Sequence, residues 1–552
     1  MSSTIAVPPS TAAEASSAAA RPAGRVARAR ALATRLGGTP VEVVVLLGLL
    51  AVAVKLRTHV LSVPYWIDEG ISVGIASHHL GDIPGLLRQD GSPPLYYLLL
   101  HFWIQGFGSS EQSTHALSAI FAILSVPAAW WAARPFGRWA GLIAGGLLAV
   151  NPYVGLYADE TRMYSLVLLL ALLATGAFIR AFVQGRRPYA VLFAALLAAL
   201  FYTHNWALFF GAAAGFAWLG LLAFSHERRR LLIDGVIGFG TAAVLFAPWL
   251  PTLAYQTQHT GAPWSHRPSG KSLQHALTKV LSGHKPELIL LLVAAAGLVV
   301  LLFRRSTGER RRAILSVIGL AVVTLLAAWA WSRYHSPAWA TRYFVIVLAP
   351  LAVALGAALG RITVIGAVVA LCIWGFFWHG KPSPRSLDNK SNVAAVARAV
   401  GPELPAGTIV FSPQPEQISN LAYYLPRGLR YATPLGWVPD TGVMDWRDAM
   451  KRLNAAQYEE ALVPIVRAMR PGQRLLLVQP HFSSPDAPWT RRIHHIAHTW
   501  GHALRNSSLL TELESVSPLH GSSRSTIAGI LYVRTTTPGA RHLDRHHTAA
   551  RA

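Results

Sequence analysis

Cysteine is almost missing from this chain. A single Cys372 occurs in 552 residues, inside an apolar run. That excludes an intramolecular disulfide and a cysteine-built metal site. Charge is scarce as well. Only 13% of the residues are charged, where a soluble domain carries about 25%. Acids are the scarcer sign, 25 against 49 Lys and Arg, for a formal charge of +24. Such an excess suits nucleic acid, but no recognisable nucleic-acid module is present. The arginines cluster instead in short loops between apolar runs, the pattern that orients a membrane protein. A complete phosphate loop is also lacking. "SGKS" at 269–272 has Ser265 where the first glycine of a P-loop belongs.

Hydrophobic residues make up 53% of the chain. Apolar runs of membrane-spanning length recur from residue 41 to 379 and then stop. This predicts a polytopic α-helical membrane protein with a more polar C-terminal part. Residues 1–40, rich in Ala, Ser and Arg, read as a disordered cytoplasmic tail leading into an uncleaved signal anchor at 41–62. With the basic loops placed in the cytoplasm, the runs 113–133, 139–157, 163–180, 188–204, 206–224, 232–252, 287–303, 312–332, 342–360 and 362–379 alternate across the bilayer. That makes about 11 transmembrane helices. "PLYYLLLHFWIQGF" (94–107) is short for a span and is expected to lie at the interface. If it crossed, every strongly basic loop would change sides.

Residues 41–379 then form the membrane domain, and 380–535 an extracytoplasmic α/β domain. "GTIVFS", "QRLLLVQP" and "TIAGILYVRT" read as buried strands. "EQISNLAYYL", "WRDAMKRL" and "EEALVPIVRAM" read as helices between them, which suggests a mainly parallel sheet. Residues 536–552, with "RHLDRHH", read as a disordered, solvated tail.

Three outer loops carry the chemistry-bearing residues. "WIDEG" holds Asp68 and Glu69; "YADETR" holds Asp159, Glu160 and Arg162; a longer loop runs from 253 to 286. Adjacent carboxylates resist double ionisation, so one of Asp68 and Glu69 suits a general base. Arg162 and Arg342, the latter followed by Tyr343, stand near the headgroup level, where a guanidinium can hold a phosphate bidentately. "YTHNW" puts His204 at the same face. Each has an ordinary counterpart: solvated loop acids, a salt-bridged loop, a snorkelling arginine and a structural histidine. Taken together, acids and arginines on one face suit sugar transfer from a polyprenyl phosphate. The phosphate leaving group needs no general acid. One base and one or two cations suffice, whereas a glycosidase usually needs two carboxyl groups.

"WIDEG", "GSPPLYYLLLHFW", "FGSSEQSTHALSAIFAIL", "NPYVGLYADETRMYSLVLLLALL", "YTHNWALFF" and "TRYFVIVLAP" follow one another in a specific order. Over roughly residues 40–360 the chain thereby resembles the GT-C superfamily of integral-membrane glycosyltransferases, in its bacterial protein O-mannosyltransferase-like (family 39/83-like) branch. The resemblance implies an extracytoplasmic active site, a polyprenyl-phosphate donor carrying mannose or another pentose or hexose, and inversion at the anomeric carbon. It assigns the base to Asp68 with Glu69 in support, and makes segment 94–107 a wall of the donor groove. Arg162, Arg342 and Tyr343 then serve the donor phosphate, with Asp159, Glu160 and His204 supporting. Ser92 stands where many members have a histidine before the double proline, so that role does not carry over. A divalent metal is left open, with Asp68, Glu69, Asp159, Glu160 and His204 as candidate ligands. The implied partners are the lipid-linked donor, membrane lipid and a glycan, lipid or protein acceptor of the cell envelope, with no nucleic acid; the implied location is the plasma membrane. The competing reading is a transporter or flippase of lipid-linked glycans. Transporters usually show repeated halves and polar residues at mid-span, and neither is evident here.

Overall fold

A bilayer offers no partner to a bare backbone amide, so long apolar runs cross it as helices. The computed structural model describes residues 39–281, 283–303, 307–379, 390–482, 486–517 and 525–535. The expected tails at 1–38 and 536–552 lie outside these residues, as does 380–389. Among the described residues six helices are long and apolar enough to cross a membrane: Glu111–Phe136, Tyr164–Val183, Arg228–His259, Pro286–Phe303, Gly308–Tyr334 and Thr341–Leu359. A seventh forms if the bent pair Arg138–Val150 and Pro152–Ala158 is one span. The 58° bend falls where Pro152 has no N–H to give and Asn151 caps the second helix by accepting from Tyr153 N–H at 2.8 Å. The remaining expected spans are also helical but shorter or more charged: Pro40–Arg57, Pro188–Phe201, Ala207–Ala223 and Thr363–His379. The chain is a multi-pass membrane protein.

The basic loops gather at one end of the bundle. Arg134 pairs with Glu42 at 3.1 Å and Arg187 with Asp234 at 2.9 Å; Gln184 donates to Glu309 at 3.0 Å. Asp68, Asp159, Arg162, His204 and Arg342 lie at the other end. The helix Leu95–Phe107 stays at that other end. Its first residue donates N–H to Tyr202 O at 2.8 Å, and just past its last turn Ser109 O accepts from Tyr65 OH at 3.1 Å. Its 13 residues span roughly 20 Å, too little for the roughly 30 Å hydrocarbon layer.

The C-terminal part holds a six-stranded sheet in the order β3-β2-β1-β4-β6-β5. The strands are β1 (Ile409–Phe411), β2 (Arg430–Thr433), β3 (Gly436–Val438), β4 (Arg474–His481), β5 (Leu510–Val516) and β6 (Thr526–Arg534). β1, β4 and β6 are the strands legible in the sequence. The sheet is mixed rather than mainly parallel: β2-β1-β4 run parallel, and β3, β6 and β5 are antiparallel to their neighbours. Only two residues separate β2 from β3, a length that forces a hairpin. β5 carries Glu512 and Glu514 at an edge and is mostly exposed, which hid it from a hydrophobic reading. Central β4 is buried along most of its length, as a strand covered on both faces must be.

Candidate active site

The helix Ile67–Ala76 begins where Trp66 N–H donates to Glu69 Oε2 at 3.1 Å, a side chain reaching back to cap its own first turn. Neighbours on a helix point about 100° apart, so the two acids part company. The Glu69 side chain is fully buried, while that of Asp68 is 20% exposed.

Glu69 sits in a knot. Lys390 Nζ reaches both its oxygens, at 3.0 and 3.2 Å, and also donates to Asp159 O at 2.7 Å. His115 bridges Glu69 Oε1 (2.6 Å) and Leu61 O (2.7 Å), and Thr161 N–H donates to the same Glu69 oxygen at 2.8 Å. Burial alone would raise this carboxyl. The Lys390 ammonium, His115 and the Thr161 amide outweigh it and hold Glu69 well below the usual carboxylate range.

Asp68 faces the open side, with Arg342 Nη2 at 3.5 Å from its Oδ2. Arg162 Nη1 donates to Ser72 Oγ at 2.8 Å and to Asp68 O and Tyr97 OH at 3.3 Å. The Arg342 guanidinium lies 4.6 Å from the Trp264 ring centre and 5.5 Å from that of Tyr343, a cation–π cradle. His204 packs edge-on against Tyr343 at 4.6 Å. Its Nδ1 accepts from Trp206 N–H at 3.0 Å. Burial, then the charges of Arg162 and Arg342, push His204 down to about 3, so it is neutral. Burial lifts Asp159 to about 7, against the pull of Arg57 and Lys390.

Of the residues singled out in the sequence, Asp68, Arg162, Arg342, Tyr343 and His204 line one cluster. Glu69, Asp159 and Glu160 lie behind it, buried. Lys390, His115, Ser72, Tyr97, Trp264 and Asp90 were not foreseen. Asp90 is pushed up by burial and by Asp68, and pulled down by Ser92 and Arg162, which places it beside the cluster. Lys390 stands in the polar stretch "SLDNKSN" and carries no local signal.

A divalent ion does not fit this arrangement. Among the described residues no three His, Cys, Asp or Glu side chains group as a cation site. Both oxygens of Glu69 are engaged, and the Asp68 carboxylate faces a guanidinium.

Residues 91–255 match the family profile of dolichyl-phosphate-mannose-protein mannosyltransferase. No curated protein matches the chain in sequence. ArnT from Cupriavidus metallidurans bound to undecaprenyl phosphate is similar in structure, with a TM-score of 0.57 at 13% identity, over 88% of this chain and 97% of that one. The chain has the GT-C-type fold expected from its sequence. The chain is also similar to the archaeal oligosaccharyltransferase AglB from Archaeoglobus fulgidus, in complex with an inhibitory peptide and a dolichol-phosphate. There the TM-score is 0.51 at 12% identity, over 90% of this chain and 74% of that one. Arabinofuranosyltransferase AftD from Mycobacteria gives 0.52 at 15% identity, over 90% of this chain and 41% of that one. The profile match contains Arg162 and His204; Asp68, Arg342 and Lys390 fall outside it.

Proposed function

We propose that this protein moves a sugar, mannose or another pentose or hexose, from a polyprenyl-phosphate donor to a hydroxyl of an extracytoplasmic acceptor. Asp68 is the base. It takes the acceptor proton as the new bond forms from the acceptor oxygen to the anomeric carbon. The bond from that carbon to the phosphate oxygen breaks on the opposite face, and the electron pair leaves with the polyprenyl phosphate, giving inversion. Arg342 and Arg162 stabilise the departing phosphate. In the free protein Arg342 neutralises Asp68. A donor phosphate competes for that guanidinium and leaves the carboxylate to the acceptor. Tyr343 and Trp264 hold the Arg342 plane, and neutral His204 packs Tyr343 without adding a third charge. Glu69 anchors the loop and does not react.

The observation that carries the reading is a partly exposed carboxylate, Asp68, paired with the Arg342 guanidinium while Arg162 holds the Asp68 main-chain carbonyl, at one end of the helix bundle. Undecaprenyl phosphate in ArnT and dolichol-phosphate in AglB support the donor class. The test uses purified protein in nanodiscs, radiolabelled undecaprenyl-phosphate mannose or arabinose, and acceptors extracted from the cell envelope. Label should move with wild type and not with Asp68→Asn. Movement of intact lipid-linked sugar across vesicles without bond cleavage would establish a flippase instead.

A further inference from the structure

Three elements far apart in the chain meet at one ammonium. Lys390 is 2% exposed, although lysine is almost never fully buried unless paired. Its three contacts are Glu69 Oε1, Glu69 Oε2 and Asp159 O, so it clamps the first turn of the helix Ile67–Ala76 to the second acidic segment. The next residues belong to the sheet domain. Ser391 bridges Ser525, and Asn392 exchanges hydrogen bonds with Ile527, donating at 2.7 Å and accepting at 2.8 Å. A short strap thus ties the start of β6 to the helix turn that carries Asp68 and the loop that carries Arg162. Asp68 is one residue from the clamped Glu69, and Arg162 is one residue beyond Thr161, which also binds Glu69. The same seam is tight elsewhere: Asn420 Nδ2 donates to Tyr65 O at 3.0 Å, and Tyr65 N–H to Tyr424 OH at 2.7 Å.

We infer that Lys390 is a positioning residue: the sheet domain, through this ammonium, sets the spacing between Asp68 and Arg162, and the site is assembled only while the domain is docked. The inference rests on the transfer reading above for its catalytic consequence, but not for its structural one. A neutral side chain at 390 leaves a carboxylate buried with too few cations. A buried pair broken on one side is strongly destabilising, so the two segments separate or Glu69 takes up a proton. Either outcome moves Asp68 while leaving the Arg342 cradle, which belongs to a different helix, in place.

The experiment compares full-length wild type, Lys390→Met and the double variant Glu69→Gln/Lys390→Met in nanodiscs. Amide hydrogen exchange of residues 65–72 and 159–163 is one readout. Transfer from undecaprenyl-phosphate mannose to octyl α-mannoside, split into kcat and donor KM, is the other. Lys390→Met should speed exchange in both segments, lower kcat about tenfold or more and change donor KM less than about threefold. The neutral pair of the double variant should recover at least part of that kcat, as a coupled pair does. A merely structural role would reduce the folded fraction without this split or rescue. Wild-type exchange and kcat in Lys390→Met, or equal losses in kcat and donor binding, would overturn the inference. If wild type transfers nothing, the transfer reading fails by itself, and the exchange data alone decide whether Lys390 clamps the two segments.

Discussion

A single methyl group tests how the sheet domain is seated. Gly74 lies in the helix that carries Asp68 in its first turn, and a Cβ there would come within 2.7 Å of Gly442 Cα, against backbone that cannot swing aside. A Cβ at Gly85, in the neighbouring helix Ile83–Asp90, would meet nothing within 4 Å. In a helix interior alanine is better than glycine by about 1 kcal/mol. Overpacking at a rigid contact costs about 1–3 kcal/mol. Displacing residues 440–442 also strains the hydrogen bond from His78 to Asp440 at 3.0 Å, a part-exposed contact contributing at most about 1 kcal/mol. Gly74→Ala should therefore lose about 0–3 kcal/mol net, whereas Gly85→Ala should gain up to about 1 kcal/mol. For a unit of 150–250 residues, each kcal/mol moves Tm by about 2–4 °C, so Gly74→Ala should melt below Gly85→Ala, by several degrees at the middle of these ranges. Thermal unfolding in detergent at one fixed scan rate reads this, since large membrane proteins often unfold irreversibly. Gly74→Ala melting at or above Gly85→Ala would refute the seating.

The site yields three further expectations. Asp68→Asn should cut turnover by about 10²–10⁴-fold with donor binding kept; near-normal turnover removes Asp68 as the base. Arg342→Gln should cost about 10²–10³-fold in kcat if it stabilises the departing phosphate, and a change confined to acceptor KM would contradict that role. Asp159 is raised in the fold to about 7, above its unfolded value of about 3.9. Its contribution is therefore full below about pH 4 and is lost as pH rises through 7. Wild type should thus lose Tm relative to Asp159→Asn between those limits, and a pH-independent difference would count against a buried, raised carboxyl.

Much of the membrane architecture was legible from local pattern. Hydropathy over some twenty residues decides whether a segment is helical in lipid, and arginine placement separates the two ends of the bundle. The same logic kept residues 94–107 from crossing, and the structure has that helix lying along one end. Asp68, Arg162 and Arg342 could be assigned to one end because each directly adjoins an apolar run. The sheet was read less well, since β3 and β5 are short or exposed edge strands with no hydrophobic signature.

What the sequence by itself determined is thus the long apolar helices and the pair of acids worth watching; the short helices Ile67–Ala76 and Gly270–Val280 fall in segments read as loops. Only the tertiary structure decided which acid is open. Asp68 and Glu69 are equivalent in a string of letters. They differ because Lys390, 321 positions away, and His115 close over one of them. Such contacts depend on how distant segments pack, and burial with a paired charge, rather than residue type, decides which carboxylate is locked and which remains free to react.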